Sequence, residues 1–166
     1  MRRIDKENYY LDIAETVLER STCLRRCYGA IIVNNDEIVS TGYNGAPRGR
    51  KNCMDLGCCT REAMRVPSGE RYELCRSVHA EMNAIISAAR SECIGGTIYL
   101  AGRDVATGEL IPDLLPCPMC RRMIINAGLS KIVIRRTPST YDILNVQDWV
   151  FHDDSVIDPS ESGEQA

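Results

Sequence analysis

Residues 78–85 read Val-His-Ala-Glu-Met-Asn-Ala-Ile, and residues 115–120 read Leu-Pro-Cys-Pro-Met-Cys. The first stretch continues with apolar residues at helical spacing, which predicts a helix beginning near His79, with Ser77 as a candidate N-cap. In the second stretch Cys117 is a candidate N-cap, and Pro118 occupies the favoured first helical position. The two stretches therefore predict two helices whose N-terminal ends carry histidine, glutamate and cysteine side chains.

These two helix starts together offer a residue set that suits a catalytic zinc ion. His79, Cys117 and Cys120 supply one imidazole and two thiolates, and three protein ligands leave a fourth position open for water. Zinc lowers the pKa of a bound water to about 7, so hydroxide becomes available at neutral pH. Glu81 is not needed as a ligand. We therefore predict that Glu81 is the general acid/base of a zinc hydrolase.

Each motif taken alone has a simpler interpretation. Cys117-x-x-Cys120 is also typical of a thiol redox pair or of half a structural zinc site. His79 alone is compatible with a hydrogen-bonded histidine of the protein core. The occurrence of both motifs in this order, each at the start of a predicted helix, favours the catalytic zinc site.

Composition limits the class of protein. The chain has 166 residues, of which 44% are hydrophobic and 26% charged, as in ordinary globular proteins. The net charge is −3, and neither a basic segment nor a set of stacking aromatic residues indicates a nucleic-acid partner. We find no signal-peptide pattern and no apolar run that would span a membrane, so we expect a cytoplasmic protein. Its nine cysteines then indicate metal binding rather than disulfides.

The rest of the chain predicts alternating helices and strands within one domain, residues 1–152. Residues 5–20 form an amphipathic helix capped by Asp5, and residues 29–33 and 37–43 form a hairpin. A third strand covers 97–101, and a fourth, over 131–135, is parallel to it because a helix crosses between them. We predict a short helix over 141–146, an edge strand over 148–152 and a disordered acidic tail over 153–166.

The loop after the second predicted strand, residues 41–49, contains glycines on both sides of Pro47 and is therefore a shaped turn. It is either an ordinary turn or a cradle for a ligand, in which Asn44 offers both a donor and an acceptor. Nearby arginines are either solvated surface charges or include a phosphate ligand, since the planar guanidinium suits phosphate oxygens. These candidates are Arg25, Arg26, Arg48 and Arg50.

Taken together, the motifs resemble the deoxycytidylate deaminase family over about residues 9–136. The resemblance rests on Ser-Thr-Cys at 21–23, Gly-Tyr-Asn-Gly at 42–45, His-Ala-Glu at 79–81 and Pro-Cys-x-x-Cys at 116–120. The last two motifs form the signature of zinc-dependent nucleobase deaminases. The resemblance implies a cytidine-deaminase-like fold, a three-layer α/β/α arrangement with a mixed five-stranded sheet. It also implies hydrolysis of dCMP to dUMP and ammonia, which supplies dUMP for thymidylate synthesis.

The resemblance further implies binding residues and partners. Asn44 would bind the nucleotide beside the zinc, and the backbone amide of Ala80 would meet the base carbonyl. A homo-oligomer with dCTP and dTTP as allosteric effectors is common in the family. Some members carry a second, structural zinc in the cysteine-rich loop, residues 51–76. Here its ligands would be Cys23, Cys53, Cys58 and Cys75, unless these are simply buried small side chains.

One segment departs from the family pattern. In much of the family the Pro-Cys-x-x-Cys motif follows the third strand almost at once, whereas here residues 102–115 intervene, with a predicted hairpin tip at 106–109. The insertion leads directly into the metal site and therefore bears on the substrate. Other hypotheses are a related deaminase acting on dCTP, cytidine or tRNA adenosine, and a catalytically silent zinc-binding assembly module. The acidic composition and Glu81 favour an enzyme acting on a free nucleotide.

Overall fold

The computed structural model describes residues 3–153, in which one sheet is covered by helices on both faces. The strands are β1 (Arg26–Asn34), β2 (Glu37–Tyr43), β3 (Thr97–Asp104), β4 (Lys131–Arg135) and β5 (Tyr141–Asn145). The helices are α1 (Lys6–Leu18), α2 (Cys53–Leu56), α3 (Thr60–Ala63), α4 (Ala80–Ile86), α5 (Arg90–Cys93), α6 (Pro118–Ala127) and α7 (Val146–Phe151), with a 3₁₀ turn at Tyr72–Leu74. Beyond Asp153, the predicted acidic tail lies outside the described residues. No helix within residues 3–153 is both long and apolar enough to cross a bilayer.

The sheet is mixed, with the strand order β2-β1-β3-β4-β5. β1 runs antiparallel to both β2 and β3, and β5 runs antiparallel to β4. β3 and β4 are parallel, because α6 carries the chain back across the sheet between them. The predicted five-stranded mixed sheet, its hairpin and its parallel pair are confirmed.

Alternation of side chains along the central strands divides the core into two parts. Ala30 and Ile32 of β1 join a cluster with residues of α4 and α6, whereas Ile31 and Val33 join a cluster with residues of α1. Helices therefore pack on both faces of the sheet, which confirms the predicted three-layer α/β/α fold.

The helix predicted near the N-terminus is α1. The Asp5 side chain caps it by accepting a hydrogen bond from the backbone N–H of Asn8 at 2.9 Å. At the end of β4, the fully buried Arg135 forms ion pairs with Asp12 and Glu15 of α1. A buried cation is tolerated only when it is paired, so this contact ties α1 to the sheet.

The two elements predicted at the C-terminus were wrong. The segment predicted as a helix is β5, and the segment predicted as an edge strand lies largely in α7. β4 presents an open edge, and residues 141–145 pair along its whole length, from Arg135 opposite Tyr141 to Lys131 opposite Asn145. Periodicity over five residues is too short to separate a strand from a helix, so the open edge decides.

The insertion begins as a continuation of β3, which extends to Asp104 and pairs along its whole length with residues 26–33 of β1. A turn follows in which the backbone N–H of Gly108 donates to the carbonyl of Asp104 at 2.9 Å. Leu110 then bridges back to Arg103, and the chain continues to Leu114 beside the N-terminal end of α6. The insertion therefore delivers its last residues to the metal-ligating motif.

Candidate active site and metal centre

The candidate site lies where the N-terminal ends of α4 and α6 meet. His79 is the N-cap residue of α4, so Ser77, predicted as the cap, lies outside the helix. Cys117 is the N-cap residue of α6, and its sulfur accepts a hydrogen bond from the backbone N–H of Cys120 at 3.4 Å. The positive ends of both helix dipoles therefore point at the same place, where they stabilise thiolates.

A glycine in β2 allows α4 to lie directly on the sheet. A Cβ atom at Gly42 would stand 2.3 Å from the carbonyl oxygen of Ala80 and 2.3 Å from the backbone nitrogen of Ala84. Both are backbone atoms that cannot move aside without shifting the helix. The first glycine of the Gly-Tyr-Asn-Gly motif is therefore required by this close approach.

The second glycine of the motif holds the residue that precedes the histidine ligand. Gly45 and Val78 exchange both backbone hydrogen bonds, at 3.2 and 2.8 Å. The Asn83 side-chain amide donates to the carbonyl of Tyr43 at 2.7 Å. These contacts join the loop to both sides of His79, so the loop and the metal ligand occupy fixed relative positions.

The three predicted metal ligands come together in the structure. Nδ1 of His79 lies 3.4 Å from Sγ of Cys117 and 3.4 Å from Sγ of Cys120. Within residues 3–153 this is the only set of three histidine, cysteine or acidic residues whose ligand atoms all lie within 4.8 Å of one another. A tetrahedral zinc with ordinary bond lengths separates nitrogen and sulfur by about 3.6 Å. The three side chains therefore fit a zinc ion.

The contact between Cys117 and Cys120 shifts the pKa values of the two thiols in opposite directions. The pKa of Cys117 is lowered to about 4, chiefly because Cys120 hydrogen-bonds its sulfur and also because His79 does. The same contact with Cys117, together with burial, raises the pKa of Cys120. One thiolate is thus already favoured, and zinc binding would displace the proton that Cys120 retains.

The neighbouring carboxyl group has the character expected of an acid/base catalyst. Glu81 is 6% exposed, and burial raises the pKa of its carboxyl group. Burial opposes charge on His79 as well, but Cys117 and Glu81 outweigh it and raise the pKa of the imidazole. Glu81 therefore exchanges protons closer to neutral pH than an exposed glutamate does.

The two predicted substrate-binding groups differ in how many of their hydrogen-bonding atoms are already used within the protein. Oδ1 of Asn44 accepts hydrogen bonds from Oγ of Ser21 at 2.7 Å and from the backbone N–H of Tyr28 at 2.8 Å, and its Nδ2 donates to the carbonyl of Arg26 at 2.8 Å. One amide N–H of Asn44 is left for a ligand. Ala80 is the first residue of α4, so its backbone N–H has no acceptor within the helix.

A pocket leads from His79 and Glu81 to the protein surface. Leu114 and Leu115 of the insertion line one side of it. The other side is formed by the cysteine-rich segment, and the Tyr72 ring meets the His79 ring edge-on with centroids 5.3 Å apart. His79 and Glu81 therefore lie in a pocket that the insertion and the cysteine-rich segment also line.

Three arginines line this pocket, and the sequence analysis identified two of them. Arg25 and Arg26 lie in the lining as the hairpin arrangement predicts, whereas Arg48 and Arg50 are exposed and lie outside it. The third is Arg61 of α3, which the sequence analysis did not single out. Only the folding of the cysteine-rich segment over the pocket brings Arg61 there, so no local signal marked it.

The cysteines outside the catalytic set form a looser group. Burial raises the pKa of the Cys53 thiol, and the nearby thiols of Cys23, Cys59 and Cys75 raise it further. Cys58, predicted as a ligand of a second metal, is exposed. No three of these sulfurs lie within 4.8 Å of one another in the described residues. The structure therefore brings Cys59, rather than Cys58, toward the other three.

Comparisons with known proteins agree with this site. The family model described as the cytidine and deoxycytidylate deaminase zinc-binding region matches residues 4–136. The deoxycytidylate deaminase of Mycobacterium phage D29 is 35% identical over 137 residues, which is 80% of this chain and 96% of that protein. The deoxycytidylate deaminase of Schizosaccharomyces pombe is 32% identical over 127 residues, which is 76% of this chain but only 36% of the yeast protein.

A solved structure agrees as well. The dCMP deaminase of cyanophage S-TIM5 in complex with dCMP and dUMP is 29% identical and superposes with a TM-score of 0.55, covering 80% of this chain and 84% of that one. The family model covers both metal-binding motifs and the Gly-Tyr-Asn-Gly loop. The chain belongs to the cytidine and deoxycytidylate deaminase family.

Proposed function

We propose that this protein is a zinc-dependent deaminase that hydrolyses dCMP to dUMP and ammonia. The observation that carries the proposal is the buried carboxyl group of Glu81 beside a three-ligand metal site at the bottom of a pocket. A structural zinc site has no use for a carboxylate beside an open coordination position. The names of the phage and yeast relatives, and the nucleotides bound to the cyanophage enzyme, support dCMP as the substrate.

The residues divide the work of the reaction between them. A zinc ion held by His79, Cys117 and Cys120 would supply hydroxide for attack on C4 of cytosine. Glu81 takes one proton from the attacking water and gives it to the ring nitrogen beside C4, and it then moves the second water proton to the amine, which leaves as ammonia. The free N–H groups of Asn44 and Ala80 are placed to orient the nucleotide, with Ala80 donating to the base carbonyl.

The pocket also supports a phosphorylated substrate. Arginine side chains line the pocket, although the chain as a whole carries a net charge of −3. A cationic lining in an acidic protein attracts an anionic ligand to this place rather than to the surface in general. A nucleotide therefore suits the pocket better than an uncharged nucleoside.

A substrate panel tests the proposal. Ammonia release by the purified protein should be fastest with dCMP, slower with dCTP and deoxycytidine, and absent with tRNA. A preference for cytidine or for tRNA would point to another member of the superfamily. Absence of turnover with every substrate, in protein that contains zinc, would favour a silent assembly module.

We further propose a second, structural zinc held by Cys23, Cys53, Cys59 and Cys75. The thiols of Cys23, Cys59 and Cys75 raise the pKa of the Cys53 thiol, and this interaction among the four cysteines supports a shared site. Four thiolates are a common ligand set for structural zinc. Binding would draw these thiols closer together than they now lie. Metal analysis should find about two zinc ions per chain, whereas one per chain in fully active protein would exclude the second site.

The remaining expectations come from the resemblance alone. We propose a cytoplasmic homo-oligomer whose activity responds to dCTP and dTTP as allosteric effectors. Sedimentation analysis would give the number of chains per particle. Rates measured at low dCMP concentration, with each effector added separately, would show the regulation. A monomer with hyperbolic, effector-independent kinetics would contradict both expectations.

A further inference from the structure

Arg61 combines deep burial with unused hydrogen-bonding capacity. The residue is 8% exposed, yet it lines the pocket that contains His79 and Glu81. One guanidinium nitrogen, Nη2, makes both of its hydrogen bonds, to the carbonyls of Pro67 at 2.9 Å and Glu70 at 2.6 Å. Its Nε is buried and has no hydrogen-bond partner among the described residues. Buried polar groups are nearly always satisfied, so Arg61 is unusual in keeping a guanidinium donor with no acceptor among the described residues.

The charge of Arg61 is also only weakly compensated, by the exposed Glu73 at longer range. Arg25, in the same lining, forms an ion pair with Glu62 at 3.1 Å. Arg61 has no carboxylate within ion-pair distance among residues 3–153, and its guanidinium instead lies 4.9 Å over the Tyr72 ring. Burying a cation without a counter-ion is costly. An anion that enters with the substrate would remove that cost.

The position of Arg61 relative to the metal site identifies the anion. The Tyr72 ring contacts both residues: it is T-shaped to the His79 ring, with centroids 5.3 Å apart, and the Arg61 guanidinium lies 4.9 Å over it. A nucleotide whose base lies at His79 carries its phosphate on the far side of the sugar, and therefore away from the metal. Arg61 is one aromatic ring removed from His79 in the lining of the same pocket, so it is placed to meet that phosphate.

We propose that Arg61 binds the 5′-phosphate of the substrate through the guanidinium N–H groups that its two carbonyl contacts leave free, and so sets the preference for nucleotide over nucleoside. The proposal rests on the proposed deaminase function and adds the residue that selects the substrate. Because Nη2 is already held by two carbonyls, the side chain loses little conformational freedom on binding. Guanidinium–phosphate pairs combine charge with geometric fit, which makes them strong and specific.

Kinetics of Arg61→Gln test the proposal. We expect the KM for dCMP to rise about 10- to 100-fold, the range for lost hydrogen bonds to a charged group. Turnover of deoxycytidine should change by no more than about 3-fold, since the nucleoside has no phosphate for Arg61 to bind. Inorganic phosphate should inhibit dCMP turnover competitively in the wild type and much more weakly in the variant, and it should not compete with deoxycytidine.

Matched controls separate the interpretations. Arg65→Gln removes the same charge from an exposed position of the same segment and should leave every constant unchanged. If Arg61→Gln lowers dCMP and deoxycytidine turnover equally, Arg61 only holds the pocket wall and the proposal is overturned. If Arg61→Gln does not fold, Arg61→Lys decides, since an unchanged nucleotide-to-nucleoside preference in that variant also overturns it. A wild type that prefers deoxycytidine would instead refute the proposed substrate itself.

Discussion

The bottom of the pocket and its cysteine-rich side are built in different ways. The bottom consists of side chains at the N-terminal ends of α4 and α6, helices of seven and ten residues that pack on the central strands. The side, residues 51–76, contains two four-residue helices and a 3₁₀ turn. Its only buried residues are Cys53 and Arg61.

This contrast matches the different requirements of the two regions, namely metal ligation and proton transfer at the bottom and substrate entry at the side. Metal ligation and proton transfer need atoms held to within about 0.5 Å, and helices packed on a sheet provide that precision. The cysteine-rich side is held mainly by polar contacts, such as the hydrogen bonds from Arg61 and a bond from Arg76 to the carbonyl of Lys51 at 3.0 Å. Segments with few apolar contacts open more easily, which suits a surface that admits a substrate.

Removing one thiol from each region should give the largest contrast. We expect Cys117→Ala to lose catalytic zinc and all measurable activity, because two remaining ligands hold zinc poorly. Cys59→Ala should lose at most the second zinc and keep part of the activity. Zinc content and ammonia release measured on the same samples would show this. Cys58→Ala is the matched control and should resemble the wild type, because Cys58 is exposed.

Glu81→Gln should lower the reaction rate without removing the metal from the bottom of the pocket. The variant keeps all three ligands, so we expect normal zinc content and fold. The rate should fall by about 10²- to 10⁴-fold, the range for a lost general acid/base. Near-normal turnover at full zinc occupancy would remove Glu81 from the mechanism.

Two glycine substitutions compare the tolerance of the two regions. Gly42→Ala places a Cβ against the backbone of α4 and should lower the free energy of unfolding by at least about 1–3 kcal/mol. Gly69→Ala, at φ +88° with open space around it, has only the backbone strain of about 1 kcal/mol. Chemical denaturation gives both values. Equal effects would mean that α4 is not tightly packed on β2.

The smallest effect concerns the ion pair that joins the cysteine-rich side to Arg25, the residue just before β1. Glu62→Gln removes the partner of Arg25, and both side chains are partly exposed, at 57% and 30%. Exposed ion pairs contribute at most about 1 kcal/mol, so the midpoint of thermal unfolding should hardly move. A large decrease would show that this pair, rather than the Arg61 contacts, holds the side in place.

The predictions agree with the structure where the deciding interactions are between residues near in sequence, and they fail where those residues are far apart in sequence. The helix start at Cys117 was predictable because the cap and Pro118 act within one turn. The start near His79 was predictable from apolar spacing, although the N-cap residue is His79 and not the predicted Ser77. The assignment of residues 141–145 to a helix failed because a strand depends on a partner distant in sequence. Here the partner is β4, whose open edge accepts β5.

The sequence by itself determined the reaction class, since His79, Glu81, Cys117 and Cys120 carry their chemistry in their identity and spacing. Only the tertiary structure placed Arg61 in the pocket and Cys59, rather than Cys58, near Cys53. Both facts depend on how a segment with few apolar residues folds back over the site. Local periodicity carries no information about such a path, because hydrogen bonds and charges between distant residues set it.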